Sequence, residues 1–430
     1  MIKSKNIFLK KNILIYGLGK SGVSSFKFLR KKSKVFLFDD YLKKDLGFSE
    51  KLIPFKKIKE IKFDIIIISP GIDILNCKLS DFLKKNVSKI YTDLDVFYSF
   101  FKNESITITG TNGKSTTAKI LFDVLLDQKK DVRLIGNIGN PALNEKRITK
   151  KTIFVIEASS YQLDYSKIFS TKYAIILNIK ADHLERHKNL RNYIKAKFKL
   201  LESQNSRCFA YVNKNDKIIN RKLKSKKFNS KIIKVDTVNV NRLIKNISND
   251  YFLTDISKEN LSFVIEISKK LKLKSHLLFK TIQKFKGLRY RKQVILKKNN
   301  LIIINDSKST SFSSTVSILK TKSSIFWLLG GIYKKGDRLN LKKKEAPNVK
   351  AFIYGINKKF FNRELKNKVS YKNFDNLDNA FKNIVYLIKK KNPSYSTILF
   401  SPCAASFDSF KNFEDRGIYF NKLVKKHYNG

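Results

Sequence analysis

The sequence predicts an α/β protein organised in three compact blocks, and three observations carry that reading. The chain has 430 residues, which at roughly 150 residues per domain gives about three domains. Short apolar runs alternate with stretches of helical period from one end to the other. Finally, 42% of the residues are hydrophobic, ample for more than one core and too many for a disordered polybasic chain.

In the first block, NILIYGLG at residues 12–19 is an apolar strand running into glycines. KVFLFDD at 34–40 is a strand ending in two acids, and FDIIIISPG at 63–71 is a third strand. Helix-compatible stretches between them make a small βαβ sheet. The second block opens with ESITITGTNGKSTTAKILFDVLL at 104–126, a strand, a phosphate loop and an amphipathic helix. Strands at 152–159 and 173–179 extend that sheet, the basic stretch near 214–250 carries short β-like runs, and 259–271 has a helical period. The third block has strands at 301–306, 324–331, 351–355 and 396–402, again with helical stretches between them. The expected domains are therefore 1–95, 96–286 and 287–430.

Charge narrows the function classes. There are 90 basic against 35 acidic residues, a net +55, but only 13 of the basic residues are arginine. A nucleic-acid reader favours the arginine fork, which matches guanine edges and phosphates. Lysines spread over nearly every segment read instead as solvating charge, and no nucleic-acid partner is expected. The three cysteines, Cys77, Cys208 and Cys403, lack disulfide or metal-ligand spacing and suit a reducing compartment. No apolar run nears the roughly 20 residues that cross a bilayer. Residues 1–11 are basic, but the apolar segment after them holds a glycine loop rather than a signal-peptide cleavage site, so the expected location is cytoplasmic, without membrane insertion.

The strongest single motif is Gly110-Thr111-Asn112-Gly113-Lys114-Ser115-Thr116. It is shorter than the GxxxxGK[ST] form, but the physical logic is shared. Glycines allow a tight backbone cradle, and the following helix points free amides at phosphate. Lys114 can neutralise β- and γ-phosphates, and the Ser115 hydroxyl can complete a magnesium shell. Nucleotide binding follows from this motif; the reaction does not.

Glu157 ends the strand TIFVIE, where an acid can hold magnesium beside the loop or cap the next helix. His183 and His187 are four apart, a spacing that first suggests zinc. The segment is not HExxH, however, and no third ligand accompanies the pair. His183 reads as a magnesium or substrate contact, His187 as a capping or packing residue. Lys195 and Lys197 lie in a helical stretch, and composition alone makes both surface residues.

These motifs together resemble the Mur ligase family over almost the whole chain, and within it the branch that adds D-glutamate. Gly17-Leu18-Gly19-Lys20-Ser21-Gly22 and Ser69-Pro70-Gly71-Ile72 are similar to the family's uridine-nucleotide domain. The phosphate loop, Gly136-Asn137-Ile138-Gly139, the segment from Glu157 to Leu163, and Asp182-His183 match its shared core. Asn305-Asp306-Ser307-Lys308-Ser309-Thr310 resembles the NDSKAT segment. Ser401-Pro402-Cys403-Ala404-Ala405-Ser406-Phe407-Asp408 and the stretch from Phe410 to Gly417 resemble the C-terminal signature that sets the D-glutamate branch apart.

The resemblance implies a Rossmann-like first domain, a central P-loop ATPase domain and a C-terminal α/β domain. It also implies an ADP-forming amide ligase, a monomer, that joins D-glutamate to UDP-N-acetylmuramoyl-L-alanine through an acyl phosphate, using ATP and Mg2+. It moves the glycine-rich turn before Asp39 from a dinucleotide site to a UDP site. Asp39 and Asp40 then lie near uracil, and Ser69 and Gly71 near the phosphates, with Ser21, Ser159 and Gln162 as further substrate contacts. Asn137 and His183 fall near the reacting carboxyl group. Ser115, Glu157, His183 and Lys197 are the implied metal-side residues, Lys197 as a carbamate. Gly110, Asn112, Gly113, Lys114, Ser115, Thr116, Asn260, Arg291 and Asp306 are implied at ATP. Lys308, Thr310, Lys334, Ser406 and Phe413 are implied at D-glutamate.

Four departures from the family pattern stand out. The adenine-side HNxxN motif aligns with Ile256-Ser257-Lys258-Glu259-Asn260 and keeps only Asn260. Tyr290 replaces a histidine, Ser311 an asparagine, and Gly330-Gly331-Ile332-Tyr333-Lys334 lacks the usual acid. The competing readings are a related ligase with another amino acid, an inactive sugar-nucleotide-binding descendant, and a Lys-rich ATPase acting on nucleic acid.

Overall fold

A computed structural model describes residues 6–41, 47–238, 247, 249–252, 255–320, 324–334, 336–391 and 395–428. Of the basic start at 1–11, residues 1–5 lie outside the described residues, as do 239–246 and 248 of the basic stretch at 214–250. The chain forms two compact units. One comprises residues 1–249 and 257–284, the other 250–256 and 285–430.

The first unit holds two parallel sheets. One is built from β1 (Asn12–Tyr16), β2 (Lys34–Phe38), β3 (Ile65–Ile68) and β4 (Ile90–Tyr91) in the order β2-β1-β3-β4. The other uses β5 (Ser105–Thr109), β6 (Val132–Gly136), β7 (Ile153–Glu157), β8 (Tyr173–Ile176), β9 (Phe209–Asn213) and β10 (Lys231–Val235), in the order β10-β9-β8-β5-β7-β6. Strands covered on both faces read as unbroken apolar runs. All four isoleucines of β3 are buried in this way, and β5 is buried at all five positions although its serine and threonines alternate with isoleucines.

The second unit holds β11 (Gln293–Lys298), β12 (Leu301–Asn305), β13 (Ser324–Gly330), β14 (Val349–Tyr354), β15 (Ser370–Asn373) and β16 (Ser396–Phe400). Their order is β11-β12-β16-β13-β14-β15, and only the β11–β12 pair is antiparallel. Among the described residues no helix is long and apolar enough to cross a membrane.

The apolar runs read from sequence fall on strands and β10 lies among the β-like runs expected near 214–250, whereas β4, β6, β9, β11 and β15 are not legible as strands. β15 is exposed at all four positions, so no hydrophobic alternation announces it. Among the described residues, the stretch after residue 214 holds the helix Lys217–Ser225, where β-like runs are expected, and then β10. The expected helix at 259–271 spans Asp255–Lys270.

Parallel α/β sheets present their binding loops at the carboxyl ends of the strands. Gly17, Asp39 and Ser69 follow β1, β2 and β3, while Gly110, Asn137 and Asn178 follow β5, β6 and β8. Glu157 closes β7, and Asp306 and Ser401 follow β12 and β16.

Candidate active site

The loop Gly110–Gly113 joins β5 to the helix Lys114–Asp127. Gly113 sits in the left-handed region at φ 88°, and the helix has no side-chain cap, so its first amides point into the loop. A Cβ on Gly113 would lie 2.0 Å from Asn260 Oδ1, which seats the Asn260 amide directly against the loop. Lys114 Nζ donates to the carbonyls of Gly110 (2.9 Å) and Thr111 (2.8 Å). Asn178 braces the other side: its Oδ1 accepts from Asn112 N at 2.9 Å, and its Nδ2 donates to Glu259 Oε1 at 2.7 Å. Burial raises the Glu259 carboxyl above the ordinary range. Thr116 is buried in the first turn of the helix that follows the loop.

Glu157 is 1% exposed. One carboxylate oxygen accepts from Ser115 Oγ at 2.5 Å, the other from Asn137 Nδ2 at 2.8 Å. The close approach depends on Gly136, whose φ is 102° and whose Cβ would lie 2.4 Å from the Glu157 carbonyl oxygen. The helix-cap role for Glu157 is not realised, because Ser159 caps the helix Ser160–Tyr165 and shares a reciprocal capping box with Gln162.

Lys197 lies on the helix Leu190–Glu202, 1% exposed, whereas Lys195 two residues earlier is exposed. Lys197 Nζ donates to Gly110 O at 2.7 Å and lies 3.5 Å from Thr109 Oγ1. Burial, and then the neighbouring Lys114 charge, holds its ammonium well below the ordinary lysine range. The surface reading from composition therefore holds for Lys195 and fails for Lys197.

His183 and His187 both pack on the Tyr161 ring, at 4.9 and 5.5 Å between centroids, while their ring nitrogens meet different hydroxyls. His183 takes a left-handed conformation, φ 54°, and its Nδ1 lies 2.7 Å from the Tyr161 hydroxyl. His187 is buried, with Nε2 3.0 Å from Ser160 Oγ, and burial pushes it down to about 4. It packs.

At the first sheet, Asp39 caps the glycine turn by accepting from Leu18 N at 2.6 Å. Asp40 accepts from the Tyr16 hydroxyl at 2.7 Å, and Ser69 Oγ donates to Gly17 O at 2.6 Å. Gly71 is exposed in the following turn. Asp93 is one of the residues that join this region to the central one. Asp93, 3% exposed, receives a hydrogen bond from Ser21 and lies 3.4 and 3.5 Å from Gln162 Nε2. Burial raises its carboxyl.

In the second unit, Asp306 is buried. Its Oδ1 accepts from Lys292 N at 3.0 Å, and its Oδ2 accepts from Ser401 Oγ at 3.0 Å. Burial pushes it up to about 6, against the opposing pull of Lys292 and Arg291. The Lys308 ammonium sits 3.9 Å above the Phe413 ring. Thr310 is exposed nearby in sequence, Lys334 half-buried and Ser406 buried. The bridge between Ile332 and Ala405 brings the Lys334 and Ser406 loops side by side. Arg416, 1% exposed, ties these loops together. Its Nε donates to Ser307 Oγ at 3.1 Å and its Nη2 to Ser307 O at 2.8 Å and Ala404 O at 2.9 Å. The Ser307 hydroxyl in turn donates to Phe413 O at 2.8 Å.

Comparison with known proteins sets this geometry in a family. The Mur ligase middle domain profile matches residues 108–281. The UDP-N-acetylmuramoylalanine–D-glutamate ligase of Rickettsia felis is 33% identical over 98% of this chain and 98% of its own length. The chain belongs to the UDP-N-acetylmuramoylalanine–D-glutamate ligase family. The corresponding ligase of Francisella tularensis subsp. novicida is 31% identical over 96% of this chain and 95% of its own. Among solved structures, the MurC UDP-N-acetylmuramate-alanine ligase of Thermotoga maritima superimposes with a TM-score of 0.58 at 17% identity, covering 97% of this chain and 99% of its own. The Thermotoga maritima MurF ligase, determined in complex with ADP, gives 0.55 at 11% identity over 98% and 99%. These two likenesses support the Mur ligase fold.

Sequence reading passed over Asp93, Asn178, Glu259 and Arg416 as site-building residues. Asp93 gave no signal, because nothing local to the segment Thr92–Phe97 announces a partner 69 positions away. Arg416 had one: an arginine inside an otherwise apolar helix face of a chain with only 13 arginines. Ser115 and Glu157 present hard oxygen donors of the kind magnesium takes. Among the described residues no three His, Cys, Asp or Glu side chains gather as a metal cage.

Proposed function

We propose that the protein is an ATP-dependent amide ligase that joins D-glutamate to UDP-N-acetylmuramoyl-L-alanine in cytoplasmic peptidoglycan precursor synthesis, acting as a monomer. The observation that carries the reading is the meeting of buried Ser115 and Glu157 with Asn137, beside a loop whose Gly110 carbonyl is held by buried Lys197, in a chain similar over 98% of its length to a D-glutamate ligase. In this reading residues 1–95 take the UDP-sugar, 96–286 take ATP and 287–430 take D-glutamate.

A carboxylate cannot form an amide directly because oxide is a poor leaving group. The acceptor carboxylate oxygen therefore attacks the γ-phosphorus of ATP, ADP leaves, and an acyl phosphate results. The D-glutamate amine then attacks the acyl carbon, loses a proton, and expels phosphate. Lys114 balances phosphate charge beside the free amides of the following helix. Asn137 and His183 orient the reacting carboxyl group. Asp39 and Asp40 face uracil, and Ser21, Ser69, Gly71, Ser159 and Gln162 hold the rest of the sugar nucleotide. Arg291, Asp306 and Asn260 address ATP. Lys308 and Lys334, with the hydroxyls of Thr310 and Ser406 and the body of Phe413, suit the two carboxylates of D-glutamate.

Magnesium, when bound, neutralises charge on the transferring phosphoryl group, and Ser115 and Glu157 would hold it with His183 at a second position. Lys197 would serve as a carbamate. Its burial favours the neutral amine, the form that reacts with carbon dioxide, and the product offers an anionic oxygen where an ammonium would repel the metal.

The test is phosphate release with ATP, magnesium and UDP-N-acetylmuramoyl-L-alanine, comparing D-glutamate, L-glutamate and no amino acid. Release that depends on D-glutamate and yields one amide product supports the reading. Release with another amino acid instead would favour a related ligase, and no release from folded, sugar-nucleotide-bound protein would indicate lost catalysis.

A further inference from the structure

Arg186 lies on the one-turn helix Leu184–His187, and its side chain is 9% exposed. Its Nη2 donates to the carbonyl of Ile72, and its Nε lies 3.8 Å from Asp73 Oδ1. The guanidinium stacks 5.2 Å above Tyr161 and 5.9 Å above Tyr165. Tyr161 carries the hydroxyl that meets His183 Nδ1 at 2.7 Å. Ile72 closes the turn whose Ser69 locks onto Gly17, with Ile72 N donating to Ser69 O at 3.0 Å. One cation therefore grips the turn after β3 with its fork and the Tyr161–His183 pair with its face. Both contacts lie within the first compact unit.

We propose that Arg186 is a positioning residue that fixes the distance between the seat of the nucleotide diphosphate, at Ser69–Ile72, and the seat of the reacting carboxylate, at His183. This rests on the sugar-nucleotide reading above. Binding of the remote UDP group then orients the carboxylate through a rigid link between Ile72 and Arg186, 114 residues apart in sequence, rather than through contact of Arg186 with substrate. An arginine suits the task because its planar fork and its stacking face act at once, whereas a lysine keeps only the charge.

The experiment uses the full chain and Arg186→Met, which retains an unbranched apolar stem without the fork, with Arg186→Lys as a second variant. Amide hydrogen exchange is followed with UDP alone as the probe. In the wild-type chain UDP slows exchange at 69–73 and also at 183–187; in Arg186→Met protection at 69–73 persists and that at 183–187 is lost. Protection confined to 69–73 in the wild-type chain overturns the proposal. No protection anywhere in the wild-type chain overturns the UDP seat itself, and this proposal with it. In ligation, kcat/KM for the complete acceptor falls about 10- to 100-fold in Arg186→Met, the scale of a 1 Å misplacement, while an acceptor lacking the uridine diphosphate loses less than about 3-fold. Equal losses on both acceptors mark a merely structural role and refute it. Arg186→Lys, with charge but no fork, is expected to behave like the methionine variant, and full recovery by lysine refutes the role of the fork.

Discussion

Replacing Arg416 tests how the proposed D-glutamate pocket is held. Arg416→Met keeps most of the side-chain volume and removes three donated hydrogen bonds, to Ser307 Oγ, Ser307 O and Ala404 O. The Ser307 hydroxyl retains its bond to Phe413 O, so it is not orphaned. The carbonyls of Ser307 and Ala404 lose a charged donor at a buried position, and each such loss costs about 1–3 kcal/mol. The expected destabilisation is therefore about 4 kcal/mol, against a background in which methionine is easily desolvated. For a unit of roughly 150 residues, about 2–4 °C accompany each kcal/mol, so its melting transition should fall by about 8–16 °C. Calorimetry on the full chain reads this, and the transition of the other unit should stay in place. The variant should also show a raised KM for D-glutamate, because Lys308 and Ser406 sit on the two loops that Arg416 joins, with the KM for the sugar nucleotide unchanged. A melting shift below about 2 °C would refute the hub role, since it would mean the two carbonyls find other partners at no cost.

Three other outcomes follow from single sites. Lys197→Ala should be nearly inactive and partly rescued by a short carboxylic acid supplied in solution; normal activity without rescue sinks the carbamate role. Asp93→Leu removes the shared acceptor of Ser21 and Gln162, and should raise the KM for the sugar nucleotide about 10-fold, the equivalent of one hydrogen bond, without changing that for ATP. An unchanged sugar-nucleotide KM would separate Asp93 from the site. His187 is depressed in the fold, from an ordinary 6.5 to about 4, so the unfolded chain binds the proton first on acidification. Its contribution to stability is present above about pH 6.5 and is lost as pH falls towards 4. Denaturant midpoints measured across that window should drop in the wild-type chain and flatten in His187→Phe; an unaltered slope in the variant would contradict the assignment.

The amino-acid sequence by itself determined the strands buried on both faces and the phosphate loop. Ile65–Ile68 is legible because a parallel strand covered on two sides favours an unbroken apolar run, and Ser105–Thr109 because isoleucines alternate with β-branched threonines up to the glycine loop. The Gly110–Ser115 motif is legible because a tight turn, a cation and a helix start must be adjacent in the chain to cradle phosphate. Only the tertiary structure decided which of two lysines two positions apart is exposed and which is buried against Gly110 O, 87 residues away. It also decided that Glu157 meets Ser115 and Asn137 instead of capping a helix, and that Asp93, Arg186 and Arg416 link segments about 70 to 115 positions apart. The physical reason is common to all of these. Periodicity and turn chemistry report the local surroundings of a residue, whereas a buried charge is defined by partners that reach it only when separate strand ends and loops are packed together.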